Sequence, residues 1–382
     1  MKFNVSSKAL ATQLAAVSKV INSKNALSIL DNFLLTLQGD TLSITGSDQE
    51  NVMTATLEVF EPEGEGSVAV PSKRILDMLK EVPGQPLTFY INDDNKEIDI
   101  RFLNGHFNFM GIDGNEFPVQ DEVRQEARRV TLPAEVVRRG LETTLFAVGT
   151  ETIRPIMTGV YWDICPLDEN EQPMPGITFV GTDTHKLVRY INTSVNPGLT
   201  FSFILPPKPA AILRSLIAKE EGEIDIEMDD KSAKFSMGPY TLSCRFINGR
   251  YPNYNRVIPA NNPFELTVDR VSLLNAMKRV SLFASSASSL VRMNIRPNEV
   301  LLAAQDLDYT LSAEERVECE YEGNAMTIGF NATYMIEVLG NIPADTVVIR
   351  LSDPARPGIF VPLTDLEGEN LLMLLMPMQV MD

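Results

Sequence analysis

Asp183 and His185 lie two residues apart in the phrase Thr182-Asp183-Thr184-His185-Lys186-Leu187. A carboxylate that close to an imidazole could fix the ring's tautomer while the ring moves a proton, the chemistry of a general acid–base couple in a hydrolase. The rest of such a site is missing from the sequence. The chain has two histidines, His106 and His185, and no G-x-S-x-G, H-E-x-x-H or glycine-rich phosphate loop accompanies them. A turn histidine with a local hydrogen bond is the plainer reading, and catalysis the alternative. The paired acids Glu220-Glu221 and Asp229-Asp230 read as solvated hairpin residues rather than metal ligands. Cys165, Cys244 and Cys319 are odd in number, widely spaced and without a C-x-x-C pair, so neither a disulfide framework nor a zinc site is expected. The expectation is a non-enzyme with no cofactor and no metal.

The end of the chain offers binding rather than bond-making chemistry. Leu371 to Met381 holds four methionines and five aliphatic residues beside Pro377. Methionine is flexible and polarizable, so such a segment suits either an irregular core or a groove that accepts several peptides.

The elements that must position these residues repeat three times. A β-type run leading into an amphipathic helix occurs at Phe3 to Ile21, Val130 to Val148 and Phe264 to Ala284, with starts 127 and 134 residues apart. That spacing makes the repeat a whole domain rather than a solenoid module. Each third has a second strand-to-helix join, from Val68, Phe203 and Ile328, with proline or asparagine suited to the first turn or cap. Alternating runs such as Leu34 to Ile44, Leu87 to Ile100 and Glu223 to Phe235 read as antiparallel hairpins with one buried face. An aspartate ends a strand at the same place in each third: Asp48, Asp183 and Asp306. The expected fold is α+β, three similar domains of two helices packed on antiparallel sheets, at residues 1–125, 126–260 and 261–382.

Composition is that of an ordinary globular protein, 44% hydrophobic and 22% charged. No signal peptide opens the chain and no apolar run is long enough to cross a bilayer, so the expected location is the cytoplasm, with no membrane partner. The net charge of −18 repels nucleic acid in bulk. Its distribution does not. Six segments read as helices, residues 6–25, 72–81, 133–147, 207–220, 269–284 and 331–340, hold 14 basic and 7 acidic residues, so they carry +7 and the remainder −25. Basic helices on an acidic frame could receive a polyanion, although lysines also favour any helix surface.

Four phrases in register resemble the bacterial DNA polymerase III beta subunit, the replicative sliding clamp. They are the opening Met1-Lys2-Phe3 with Val5, the stretch Thr182 to Leu187, the run Asn248-Gly249-Arg250-Tyr251-Pro252 continuing to Pro259, and Met376-Pro377-Met378 near the end. The resemblance covers the whole chain. It implies a DNA clamp fold that dimerises into a closed ring, encircles duplex DNA without sequence preference and tethers the DNA polymerase III catalytic subunit, conferring processivity. It also implies that the clamp loader, other polymerases and repair proteins dock through a short motif in a hydrophobic pocket. Carried over by position, that pocket comprises Met157, Thr182, His185, Lys186, Leu187, Pro252, Arg256, Val257, Leu374, Met376, Pro377 and Met378. Thr184 stands where many relatives have glycine, Lys186 where arginine is common, and residues 379–382 extend the usual ending. The DNA-facing positions implied are Lys24, Lys73, Arg74, Arg154 and Lys208, with Pro155 and Ile156 where relatives often have tyrosine.

A three-domain arc would expose strand edges at both ends, which pairing with a twin in head-to-tail fashion would cover. The resemblance implies Phe107 and Phe109 on one side of that homodimer contact and Leu282 and Phe283 on the other. A repeat-built scaffold without a DNA role remains the second alternative.

Overall fold

The computed structural model describes residues 1–118, 127–167, 172–218 and 222–380. The boundary drawn between 125 and 126, the pair Glu220-Glu221 and the tail residue Met381 therefore lie outside the described residues. Six helices occur among them: α1 (Ser7–Val17), α2 (Ser72–Glu81), α3 (Ala134–Thr144), α4 (Pro207–Ile217), α5 (Arg270–Ser281) and α6 (Ala332–Asn341). Each follows a strand, as the repeat predicts. Side chains at the joins satisfy the orphan N–H groups of the first turn: Asp269 Oδ1 accepts from Ser272 N at 2.7 Å, and Asn331 Oδ1 from Thr333 N and Tyr334 N at 2.9 and 3.3 Å. Those hydrogen bonds from Ser272 hold the Asp269 carboxyl below its ordinary value.

The first helix is shorter than residues 6–25. It stops at Val17, and Ser18 caps it with its N–H on Leu14 O at 2.8 Å. The β-branched Val17, Val20 and Ile21 followed by Asn22-Ser23 favour turns over further helix. Of the three lysines expected there, only Lys8 is helical; Lys19 and Lys24 lie beyond the helix. The charge partition survives this correction, because the six observed helices carry 11 basic and 5 acidic residues.

Contacts divide the chain into two compact units, Met1–Glu135 with Lys208–Phe246, and Val136–Pro207 with Ile247–Asp382. The first holds a five-stranded sheet ending at the edge strand Gly105–Met110 and a nine-stranded sheet. In the latter, Asn51–Glu58 and Tyr240–Arg245, nearly 190 residues apart in sequence, pair with Met53 opposite Leu242. The second unit has the same plan: a nine-stranded sheet and a four-stranded sheet whose edge is Leu311–Glu318. All the strand pairings are antiparallel, and alternation places one face in a core, as in Glu223–Met228 with Ile224, Ile226 and Met228 buried. Phe3 stacks on Phe89 at 4.8 Å in the first unit, and Trp162 meets Phe179 at 4.5 Å in the second.

Candidate functional site

In the second unit, strands Lys186–Asn192 and Glu369–Leu375 run side by side, with Leu187 directly opposite Leu374. These two, 3% and 2% exposed, belong to a cluster with Val180, Tyr251, Ile359 and Leu372. Tyr254 and Ile258 pack on the same cluster, which brings the segment bearing Pro252, Arg256 and Val257 to that face. Tyr161 stacks on Tyr251 at 4.6 Å. On the segments that flank this cluster, Val257 is 52% and Met376 39% exposed. The chain beyond the strand is pinned by its backbone, with Met376 N donating to His185 O and Met378 N to Gly329 O, both at 2.8 Å. Pro377 lies between these two anchors. A buried apolar cluster with half-exposed hydrophobic side chains on the segments that pack on it is the kind of surface that can anchor a short peptide.

The turn after Thr182 faces a different space. A cavity of about 520 Å³ is lined by Met157, Arg154, Asp183, His185, Lys186, Tyr334 and Glu337, among others. Asp183 Oδ1 accepts from His185 N at 2.9 Å and Lys186 N at 2.8 Å, and Oδ2 accepts from Lys186 Nζ at 2.6 Å. No hydrogen bond joins this carboxylate to the imidazole; the ring stacks on Tyr334 at 5.5 Å. The acid–base couple is thus absent, because the aspartate's lone pairs serve the turn. Thr182 is likewise structural, its buried hydroxyl donating to Lys186 O at 2.8 Å.

Lys186 is not a solvated rim residue. Its side chain is 5% exposed, 3.0 Å from Glu337 on α6 and 4.5 Å from the Tyr334 ring centre. Burial pulls its pKa down, but the hydrogen bonds to Asp183 and Glu337 outweigh this and hold it above the ordinary lysine value. Thr184 has φ +79°, the left-handed region that a β-branched residue avoids. Thr184→Gly is expected to raise stability by about 0.5–1 kcal/mol, the relief of strain exceeding glycine's extra unfolded-state entropy. A thermal melt moving upward checks this, and a lower midpoint contradicts it.

Four of the five expected DNA-facing cations carry no ion pair among the described residues. Lys24, Lys73, Arg74 and Arg154 are exposed, Lys73 and Arg74 in the first turn of α2. Lys208 differs: its Nζ lies 2.5 Å from Asp48 Oδ2 and donates to Val20 O and Asn22 Oδ1. Asp48 is 5% exposed, so Lys208 is largely neutralised where it sits. Ile156, at a position where relatives often have tyrosine, packs on the Leu187–Leu374 cluster. The expected contact residues Phe107 and Phe109 are half-buried on the edge strand Gly105–Met110, Phe107 stacking on Phe102 at 5.0 Å. Leu282 and Phe283, just past α5, are 77% and 39% exposed.

Tyr334, Glu337 and the Asp48–Lys208 pair escaped the sequence reading. The first two carry no motif; the aspartate recurring at the end of three equivalent strands was the available signal for the third.

Sequence profiles of the N-terminal, central and C-terminal domains of the DNA polymerase III beta subunit match residues 1–121, 131–253 and 255–379. The beta sliding clamp of Caulobacter vibrioides is 27% identical over 384 aligned positions, covering all of both chains. That of Pseudomonas putida is 26% identical, covering 92% of this chain and 94% of its own. Among solved structures, a Bartonella birtlesii DnaN sliding clamp bound to griselimycin superposes with a TM-score of 0.92 at 25% identity over the full length of both chains.

Proposed function

The chain belongs to the DNA polymerase III beta subunit family and is a non-catalytic sliding clamp for DNA polymerase processivity; from that premise we propose how its residues do the work. Two copies join end to end through the edge strand Gly105–Met110 of one and the Leu311–Glu318 edge of the other, with Phe107, Phe109, Leu282 and Phe283 covered by the contact. The closed ring surrounds duplex DNA. Lys24, Arg74 and Arg154 face the phosphates as loosely placed cations. Contacts of this kind are sequence-blind, and exposed pairs contribute only about 0.2–1 kcal/mol each, so no register is locked and the ring slides. The acidic remainder discourages DNA from adhering elsewhere.

The polymerase is held by a peptide seated over Leu187 and Leu374, between Val257 with Pro252 and Arg256 on one side and Met376 with Pro377 and Met378 on the other. Met157 and His185 border this groove through the neighbouring cavity. The apolar floor with two exposed hydrophobic side chains is the observation that carries the reading. The clamp loader, other polymerases and repair proteins compete for the same groove. Tethering raises the polymerase's effective concentration at the primer end. No described helix is long and apolar enough to cross a membrane, and the proposed location is the cytoplasm, with DNA. Primer extension on a singly primed circle tests the reading: adding the protein with a clamp loader and polymerase should lengthen products from a single binding event. Unchanged product length would contradict it.

A further inference from the structure

The chain that follows α1 is tied down on both sides of Lys24. Before it, Val20 is fully buried and closes with Val17 and Ile21 over Gly46, where a Cβ would stand only 2.9–3.3 Å from their side chains. After it, Asn25 Nδ2 donates to Leu30 O at 3.3 Å and to Asp31 Oδ1 at 2.7 Å. Further ties come from α4, which belongs to the same compact unit from Lys208 onward. Lys19 Nζ donates to Ser215 Oγ at 2.7 Å, and Lys208 Nζ donates to Val20 O, Asn22 Oδ1 and Asp48 Oδ2 at 2.5, 2.6 and 2.5 Å.

An ammonium group has three N–H donors and no acceptor, so these three oxygens use every donor that Lys208 has and leave none for a phosphate. Its charge is met by Asp48, which is 5% exposed and itself fixed, since its Oδ1 accepts from Glu50 N at 3.0 Å and Asn51 N at 2.7 Å. The lysine is thus anchored to the sheet by one bond and to the loop by two. Lys24, carried by that loop between Asn22 and Asn25, is exposed and makes no ion pair among the described residues.

We propose that Lys208 is a positioning residue: it makes no contact with DNA and instead holds the loop of residues 18–27 so that Lys24 meets the phosphates. This rests on the reading of Lys24 as a DNA-facing cation and deepens it, because it makes the acidic Asp48 a part of the DNA-binding apparatus. The two possible roles of Lys208 differ in sign. A lysine that touched phosphate would hold DNA more tightly once its carboxylate partner was removed, whereas a lysine that positions the loop would lose its anchor and hold DNA less tightly.

Binding of a short fluorescein-labelled duplex to the full chain at low salt, read by anisotropy, tests it. Lys24→Ala should weaken binding about threefold, the loss of one exposed phosphate contact. Asp48→Asn, which keeps the turn's acceptor, should weaken it by a similar factor even though it makes the chain less acidic. Lys208→Met should do the same alone and cost nothing further in a chain already carrying Lys24→Ala, since the two residues act in series. Tighter binding in Asp48→Asn, or an equal loss from Lys208→Met with and without Lys24, would overturn the positioning role and leave Lys24 facing DNA. No loss in Lys24→Ala would overturn the reading of Lys24 and this inference with it. Trypsin supplies a measure independent of DNA: at a temperature where every variant is folded, cleavage after Lys24 should run roughly fivefold faster in Asp48→Asn and Lys208→Met than in the parent. An unchanged rate in both would also overturn the proposal.

Discussion

Met376→Asp is expected to weaken binding of a clamp-binding polymerase peptide by at least 30-fold, while the chain's melting midpoint and self-association stay unchanged. Met376 is half-exposed and held through its backbone by His185 O, so the substitution alters what the groove offers without removing a core side chain. A peptide settling there would have to cover an unpaired carboxylate, which costs about 2–4 kcal/mol in a desolvated contact. Fluorescence anisotropy of a labelled peptide reads the loss, and affinity within threefold of the parent would place the peptide elsewhere. Leu374 is the wrong residue for this experiment. At 2% exposed it is floor and core together, so its truncation would confound binding with folding.

Lys186→Ala should destabilise the second unit by about 2–3 kcal/mol, since removing one member of a buried ionic cluster strands the others. The loss is smaller than for a fully buried pair because Glu337 is 39% exposed and screened by solvent. The lysine's raised pKa sets the pH window: its contribution is fully present below the unfolded-state value of 10.5 and is lost only as pH climbs through the higher folded value. The deficit of the variant should therefore be flat across neutral pH. Lys186→Arg should recover most of it. A second readout separates positioning from bulk stability. The backbone of this turn carries the His185 O to Met376 N bond, so at a temperature where both proteins are folded the alanine variant should also bind peptide more weakly.

Regularly spaced patterns in the sequence translate directly into structure. Strand-to-helix joins predict all six helices, and α2 falls on residues 72–81 because its first-turn serine, its polar face and the Pro83-Gly84 stop all agree. Propensity fails at the end of α1, where lysines look helical and the β-branched residues around them decide otherwise. Partners separated by long stretches of chain are invisible to any local pattern. Nothing near Lys208 announces Asp48, and nothing near Lys186 announces Glu337 or Tyr334, since these pairs form only when distant strands and helices are brought together. Charge type is legible and charge partner is not: all five expected DNA-facing residues are basic, but one of them is already neutralised within the fold. The apolar tail shows the same limit. Its composition suits core and groove alike; the structure buries Leu374 and leaves Met376 39% exposed.

Topological linkage to DNA is the most direct measure of the central claim. The protein is loaded with a clamp loader onto a nicked circular duplex, freed of loader, and the circle is then cut once. Retention on the intact circle through a high-salt wash, followed by prompt release on linearisation, is the expected result, because a ring held by no strong phosphate contact slides off a free end. Equal retention on circle and linear duplex, or loss from both in salt, would mean that the protein adheres to DNA without encircling it.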